Sequence, residues 1–302
     1  MPTPIRTNSY AALLAPGIYR VYVETGRRRP LEFPQWVNVI DMPWQSYTNR
    51  QISGLGAMGT KPEGTQFPMD SPILGTAKTH TSTSYGSGFE VTYEMWRDEL
   101  YGVMDMLASE LRRVSNYRME VDAHNVLNFA FSSATFTTFD AAALVSASHV
   151  GMDGVTRSNI HATSVQVGLT GIQAAITSFH GQTNERNIPV AQSMSHVLVP
   201  YQSWATVRET LGTESKPFTA DNEINALLQE DITYSLSHYL TSTTAWFGMA
   251  EKGEHDLNFN IMDRPMFDYF DDPRTWNAVY VVYQAHEPSQ ADEWRGIYGS
   301  QG

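Results

Sequence analysis

The sequence predicts an α+β fold whose subunit packs against other protein chains. Three observations support this interpretation. Residues 1–90 are interrupted repeatedly by proline and glycine and show no sustained helical period. One long stretch, from Thr92 to about Phe131, then carries an apolar helical face. Beyond it, short segments with helical and alternating periods follow one another, which is typical of a mixed domain.

The first ninety residues are predicted to be extended rather than helical. Nine prolines lie between Pro2 and Pro72, and five glycines between Gly54 and Gly75 add further breaks. Two short stretches, 19–24 and 36–40, have the composition of strands. Because so long a stretch without a helix is unusual as a mere connection, we expect it to pack against something outside its own globule.

The long helix is predicted from the spacing of its apolar residues, which lie three or four positions apart and so share one face. Thr92 is a suitable N-cap, and acidic side chains follow it near the positive end of the helix dipole. The residues of the face are Trp96, Leu100, Val103, Leu107, Leu111 and Val114.

The rest of the chain is predicted to combine short helices and strands. The helices are 169–179, closed by Gly181, then 204–211, closed by Gly212, and a third capped by Asn222. Strands are expected at 196–199, 232–236 and within 244–250. A final hairpin is predicted where 266–270 and 276–283 flank the turn sequence Asp271-Asp272-Pro273.

Composition excludes several classes of protein. The 302 residues include no cysteine, which excludes disulfide scaffolds, thiolate metal sites and cysteine nucleophiles. The net charge of −12 disfavours a generic nucleic-acid binder. No run approaches the about 18 apolar residues of a membrane span, so we expect a soluble protein made in the cytoplasm. Only 17% of the residues are charged, below the ordinary share of about 25%, as suits a subunit that buries surface against its own copies.

Two glycine motifs do not indicate enzymes. Gly54, Gly56 and Gly59 match GxGxxG, but a polar segment precedes them and the following TKPEGTQFP cannot begin a helix. A dinucleotide site needs a strand before the glycines and a helix after them, so we interpret them as a loop. Gly86-Ser87-Gly88 lacks the GxSxG spacing of a serine hydrolase and is interpreted as the approach to the long helix.

Two histidines invite a chemical interpretation. Glu120 and His124 lie four residues apart on one helix face, yet no second ExxH or HxxxH accompanies them, so an ordinary polar pair is favoured over a metal site. His149 lies near Asp153, which allows a catalytic His–Asp pair, although Asp153-Gly154 is also a routine turn. We expect no catalytic residue, no metal and no cofactor.

Charge is distributed unevenly along the chain. Residues 1–60 are mildly basic, and their Arg27-Arg28-Arg29 cluster is expected to contact acidic surface of its own or a neighbouring subunit rather than DNA. The acidic residues near the C-terminus lack the spacing of calcium ligands, so we interpret them as a solvated or interface face. They are Asp256, Asp263, Asp268, Asp271, Asp272, Glu287, Asp292 and Glu293.

At the long helix the sequence resembles the major capsid proteins of tailed bacteriophages, in particular the Mu-like major head subunit. The resemblance begins with GFEVTYEMWRDELY at 88–101 and NVLNFAF at 125–131. It continues with LVSASH at 144–149, followed by Gly154 and Asn159. Shorter likenesses lie at 197–200, 222–225, 239–241 and 245–247, whereas Asp140-Ala141 departs from the Asp-Gly that the family often has.

This resemblance implies the Hong Kong ninety-seven-type capsid fold, the phage major capsid fold. Its parts would be an N-terminal arm at 1–45, an E-loop hairpin at 46–88 and a P-domain spine helix at 89–135. An A-domain would span 136–262, and P-domain return strands with the C-terminus would span 263–302. The arm and E-loop would complete their backbone hydrogen bonds partly on neighbouring subunits.

The function implied by the resemblance is that of a major capsid protein. Pentamers and hexamers of the chain would form an icosahedral shell in the virion, assembled in the host cytoplasm around double-stranded DNA that is not bound sequence-specifically. Portal and decoration proteins are expected partners, and any scaffold is expected to be a separate protein because no scaffold-like helical segment precedes the arm. Expected assembly contacts are Arg27, Arg28, Arg29, Lys61 and Lys78, and the two lysines leave covalent crosslinking open.

Three alternatives remain open from sequence. An encapsulin-like compartment uses the same fold but encloses enzyme cargo. A tail or baseplate protein would form tubes or rings. An enzyme that uses the His149 region is the third alternative.

Overall fold

The computed structural model describes residues 9–92, 94–95, 101–214, 224–272, 274–275 and 277–302. Its helices are α1 (Ser9–Arg28), α2 (Tyr101–Asn128), α3 (Leu169–His180) and α4 (Trp204–Gly212). No helix in these ranges is long and apolar enough to cross a membrane.

The strands are numbered along the chain. They are β1 (Asn38–Asp41), β2 (Ser46–Ile52), β3 (Leu74–Thr81), β4 (Thr83–Val91), β5 (His149–Val150), β6 (Thr156–Arg157), β7 (His196–Pro200), β8 (Thr233–Ser237), β9 (Trp246–Met249), β10 (Leu257–Asp271), β11 (Ala278–His286), β12 (Gln290–Ala291) and β13 (Ile297–Ser300).

The helix α1 contradicts our prediction of a helix-free N-terminal region, and the predicted strand at 19–24 is wrong. Pro16 lies inside α1, and a proline there removes a backbone hydrogen bond at a cost of about 3 kcal/mol. Tertiary burial offsets this cost. Ile18 packs with Met104 of α2, and Tyr22, one turn later, is also buried. Ile18 and Tyr22 have the spacing of one helix face in the sequence. Two such residues are too few to predict a helix that contains Pro16.

The first sheet has the strand order β1-β10-β11-β4, and β12 also pairs with β10. Strands β10 and β11 are antiparallel neighbours from Asp271↔Ala278 to Ile261↔His286, which confirms the predicted C-terminal hairpin. The predicted strand at 36–40 is realised as β1, which runs parallel to β10. Helices α1 and α2 pack together and both contact this sheet.

The second sheet has the strand order β13-β9-β7-β8. Its core, which includes Ile172, Val197 and Trp246, is covered by α3 and α4. The predicted helices and strands of this region are present in order. The third helix is different, because the cap that we assigned to Asn222 lies outside the described residues and Asn225 instead caps a short 3-10 helix, Ala226–Gln229.

The C-terminal part of the chain contributes strands to both sheets. The boundary between 262 and 263 falls inside β10. Strand β13, in the segment expected to return to the P-domain, pairs with β9 of the second sheet. A chain that crosses between the two sheets in this way ties them together, and the largest apolar cluster contains residues of both, including Phe259 and Phe247.

Candidate assembly surfaces

Strands β2 and β3 form an antiparallel two-stranded ribbon, separate from both sheets, within the expected E-loop region. Tyr47 lies opposite His80 and Asn49 opposite Lys78. Directly opposed residues of an antiparallel pair point to one face, and this face lies against the body of the chain. The other face, which includes Thr48 and Thr79, is exposed.

His80 fixes the base of this ribbon to the body. Its ring is 2% exposed, with Nδ1 at 3.0 Å from Glu287 Oε1 and Nε2 at 2.9 Å from Asp292 Oδ2. Carboxylate oxygens only accept, so the ring donates from both nitrogens and carries a positive charge. Burial alone would lower the pKa of His80, but the hydrogen bonds to Asp292 and Glu287 outweigh it and raise the pKa from 6.5 to about 9.

Neighbouring polar groups extend this network across both strands of the ribbon. Asn49 on β2 donates through Nδ2 to Asp292 Oδ2 at 2.9 Å. Asn260 on β10 donates to Glu287 Oε2 at 2.7 Å. The ribbon is therefore anchored through buried, charge-assisted hydrogen bonds, which are stronger than neutral ones.

Lys78, which we expected to contact a neighbouring subunit, is placed within its own chain. Its ammonium group donates to the carbonyl of Thr137 and lies 3.7 Å from Asp292 Oδ1. Burial lowers the pKa of Lys78, against the opposing effect of Asp292. Its side chain thus supports the anchor of the ribbon.

The loop between the two strands, residues 53–73, presents apolar side chains to solvent. Met58 is fully exposed, at 101%, and Phe67 is 73% exposed. The other exposed apolar residues of the loop are Leu55, Met69 and Ile73. Clustered exposed apolar side chains indicate a surface that another molecule covers.

The loop is held at its ends. Ser53 exchanges hydrogen bonds with Ile73, with Ser53 N donating to Ile73 O at 2.9 Å and Ile73 N to Ser53 Oγ at 2.8 Å. Arg186, from the body, donates to Ser71 O at 2.8 Å. The two ends of the loop are thereby held in place, while its apolar side chains remain exposed.

The glycine motif Gly54–Gly59 lies in this loop, and the described chain has no helix between β2 and β3. A dinucleotide would find no helix N-terminus there, as the sequence indicated. Lys61, also in the loop, has its ammonium group 4.6 Å from the centre of the Phe67 ring. This places a cation beside the exposed apolar residues.

The basic cluster Arg27-Arg28-Arg29 lies at the end of α1. Arg27 and Arg28 occupy its last turn, where positive charge stabilises the helix dipole. Arg29 lines a cavity of about 310 Å³ between the end of α1 and α2, together with Glu120 and Tyr239. The cluster is exposed along its whole length, so it is free to meet an acidic surface.

Glu120 and His124 form a buried structural pair on α2. Glu120 accepts a hydrogen bond from the backbone N–H of Glu32, and burial raises its pKa to about 7. His124 Nδ1 lies 2.8 Å from the carbonyl of Glu120, and burial lowers the pKa of His124 to about 4. The pair connects α2 to the segment after α1, and in the described ranges no group of three acidic or histidine side chains is arranged to hold a metal.

His149 does not pair with Asp153. Its Nδ1 lies 2.9 Å from Asp140 Oδ2 and its Nε2 lies 3.0 Å from Asn159 Oδ1, and the ring stacks on Trp294 at 4.5 Å. Asp153 binds Arg157 instead. A fully buried histidine with both nitrogens engaged holds the fold together and cannot meet a substrate.

Our interpretation of the acidic residues near the C-terminus as a solvated or interface face is wrong for Glu287 and Asp292. Both are buried around His80. Asp256 lies beside them and accepts from the backbone N–H of Asp292 and Glu293. Sequence reasoning missed His80 as their partner because 207 and 212 positions separate it from the two acids and no local pattern marks the contact.

Comparison with known proteins gives a consistent result. The family model described as phage capsid protein matches residues 76–300, about three quarters of the chain. No curated protein sequence matches.

Solved structures share the fold at low sequence identity. The capsid of Myoviridae phage XM1 matches with a TM-score of 0.52 and 10% identity, over 90% of this chain and 91% of that chain. The procapsid of bacteriophage JBD30 gives 0.54 and 13%, over 98% and 76%. A virus-like particle from Pyrococcus furiosus gives 0.55 and 8%, over 94% and 97%.

Proposed function

The chain belongs to the phage capsid protein family, and we propose that it assembles as pentamers and hexamers into an icosahedral shell around double-stranded DNA. The family builds capsids, so the chain is a structural protein of the shell and not an enzyme. The Mu-like branch, the location in the virion and assembly in the host cytoplasm are parts of this proposal. A separate scaffold, a portal and decoration proteins would be its partners.

The observation that carries the proposal is the exposed apolar loop on an anchored ribbon. The buried charges around His80 fix the base of the ribbon, while the side chains of Met58 and Phe67 in its loop are largely exposed to solvent. Burial of such side chains against a neighbour stabilises an interface by about 25 cal/mol per Å² of apolar surface. The ribbon and loop would thus act as the E-loop, reaching over the next subunit.

The arm and its charges complete the proposed contacts. Residues 1–45 would contact neighbouring subunits, although α1 makes part of this segment helical and packs it on its own body. Arg27, Arg28 and Arg29, with Lys61 in the loop, would meet acidic surface of the next copy, since the chain carries a net charge of −12. Steering between basic and acidic patches of this kind sets orientation more than affinity.

Size-exclusion chromatography and negative-stain microscopy of the double variant Met58→Ser, Phe67→Ser test the proposal. We expect the wild-type chain to form closed shells and the variant to stay unassembled with unchanged thermal stability. The double variant Met106→Ser, Tyr117→Ser, which changes exposed side chains of α2, is the matched control and should assemble. Shells of the loop variant, formed at wild-type concentration, would contradict the role of the loop.

A second candidate is an encapsulin-like compartment, because the virus-like particle from Pyrococcus furiosus shares the fold over nearly the whole of both chains. The two functions differ in what the particle encloses. Purified particles from infected cells should contain nuclease-protected double-stranded DNA if the first proposal holds, and a protein cargo without DNA if the second does. Tubes or rings would indicate a tail or baseplate protein instead.

A further inference from the structure

The outer edge of β4 is an open strand edge, and we propose that an extended segment of a second copy of this chain pairs with it. Strand β4 (Thr83–Val91) pairs with β11 on one side only. Within the described ranges no strand pairs with its other side. An open edge presents unpaired N–H and C=O groups that accept another strand.

The edge is long and regular. All nine residues keep a continuous antiparallel register with β11, from Thr83↔His286 to Val91↔Ala278, which spans about 30 Å at the usual rise per residue. Alternate residues of such a strand direct their backbone groups away from β11. About four residues are therefore available to pair with a further strand.

The edge also lacks the features by which proteins block unwanted pairing. Prolines, lysines and bulges usually protect an edge, and β4 contains none of them. Its exposed residues are small apart from the last one, so a second backbone can approach closely. They are Thr83, Ser84, Gly86, Ser87, Gly88 and Glu90.

The opposite edge of the same sheet shows the contrast. Beyond Ile261, where pairing with β1 ends, β10 carries Pro265, charged Arg264 and Asp268, and two irregularities in its register with β11. This edge is protected although it belongs to the same sheet. The difference indicates that the β4 edge is covered by a partner in the functional state.

A second copy is the partner that the structure favours. The inference rests on the proposed function, in which identical chains surround each subunit. Strand β4 begins two residues after β3 ends, so the chain leads from the ribbon directly into the strand with the open edge. An interface between copies at the ribbon would bring extended backbone next to β4.

Hydrogen–deuterium exchange on the purified wild-type chain, compared between the unassembled and the assembled state, tests the inference. We expect exchange within 83–91 to slow at least tenfold on assembly. The central strand β11 (Ala278–His286), which has partners on both sides, is the internal reference and should be protected in both states. Closed shells in which 83–91 exchange at the unassembled rate would overturn the inference and leave the proposed function intact. Dimers that protect 83–91 without forming shells would support pairing at the β4 edge and contradict the proposed function. A chain that stays monomeric at all concentrations would contradict both the pairing and the proposed function.

Two serine variants provide an independent test. Ser84 and Ser87 lie three positions apart, so one directs its N–H toward β11 and the other directs it outward. We expect one of Ser84→Pro and Ser87→Pro to lower the melting temperature of the unassembled chain by breaking the bond to β11. The other should keep that temperature and lose assembly. Assembly by the stable variant at the wild-type concentration would contradict pairing at this edge.

Discussion

The buried histidine at the base of the ribbon makes the stability of the subunit depend on pH in a defined way. His80 donates to both Glu287 and Asp292, and Tyr47 stacks on its ring at 4.8 Å. Replacing it in the variant His80→Gln removes the positive charge and one of the two donated bonds. The remaining ribbon contacts, including those of Asn49 and Lys78, are left in place.

The magnitude follows from the pKa of His80, which rises from 6.5 to about 9 on folding. A tenfold change in an acid dissociation constant corresponds to about 1.4 kcal/mol of free energy, so the higher pKa of His80 in the folded chain contributes about 3 kcal/mol to stability. Because the folded pKa is the higher one, the contribution is complete below pH 6.5 and is lost as the pH rises through 9. The glutamine variant has no such titration.

Urea unfolding of the unassembled subunit between pH 6 and pH 10 measures this contribution. We expect the wild-type chain to exceed His80→Gln most at pH 6, and the difference in the free energy of unfolding to shrink by about 3 kcal/mol by pH 10. The variant His180→Gln, which changes an exposed histidine at the end of α3, should follow the wild type. A constant difference between wild type and His80→Gln across the whole range would refute the charged state of His80.

Three further changes test the packing of the fold. Ile172→Ala, in the core of the second sheet, should destabilise the chain by about 2–5 kcal/mol, whereas Ile224→Ala, on the surface, should change stability by less than about 0.5 kcal/mol; equal melting temperatures would contradict the assigned core. Gly88→Ala places a methyl group 2.7 Å from the carbonyl oxygen of Tyr280 and should lower the melting temperature. Gly86→Ala, whose methyl group would lie 3.7 Å from the nearest carbonyl oxygen, should not lower it. Reversed effects in thermal denaturation would show that the register between β4 and β11 is wrong. Burial raises the pKa of Glu120 to about 7. The free energy of unfolding of the wild type should therefore fall by up to about 3 kcal/mol between pH 4.5 and 8 relative to that of Glu120→Gln. The same pH dependence of the free energy of unfolding in both proteins would contradict this.

Elements with strong local signals could be predicted from the sequence. The apolar steps from Trp96 to Val114 predicted the long helix, which the structure shows as α2; Trp96 and Leu100 lie outside the described residues. The Asp271-Asp272-Pro273 turn predicted the β10–β11 hairpin. Both signals act over a few residues, where helical period and turn chemistry decide the local structure. The order of short helices and strands in the second sheet could be predicted for the same reason.

Elements that depend on distant contacts could not be predicted. Helix α1 forms in spite of Pro16 because Ile18 and Tyr22 are buried against other parts of the chain. The anchor of the ribbon joins His80 to acids more than two hundred positions away. A single sequence carries no local sign of such contacts. Glu287 and Asp292, which are buried partners of His80, were therefore interpreted as part of a solvated or interface face.

The central claim is that copies of this chain form a closed shell in which each ribbon and loop covers a neighbour. A cryo-electron microscopy reconstruction of particles assembled from the purified chain tests it most directly. We predict a closed icosahedral shell of pentamers and hexamers, with Met58 and Phe67 of each loop buried against the next subunit. Tubes, open sheets or persistent monomers, or a shell in which the loops stay exposed to solvent, would contradict this account.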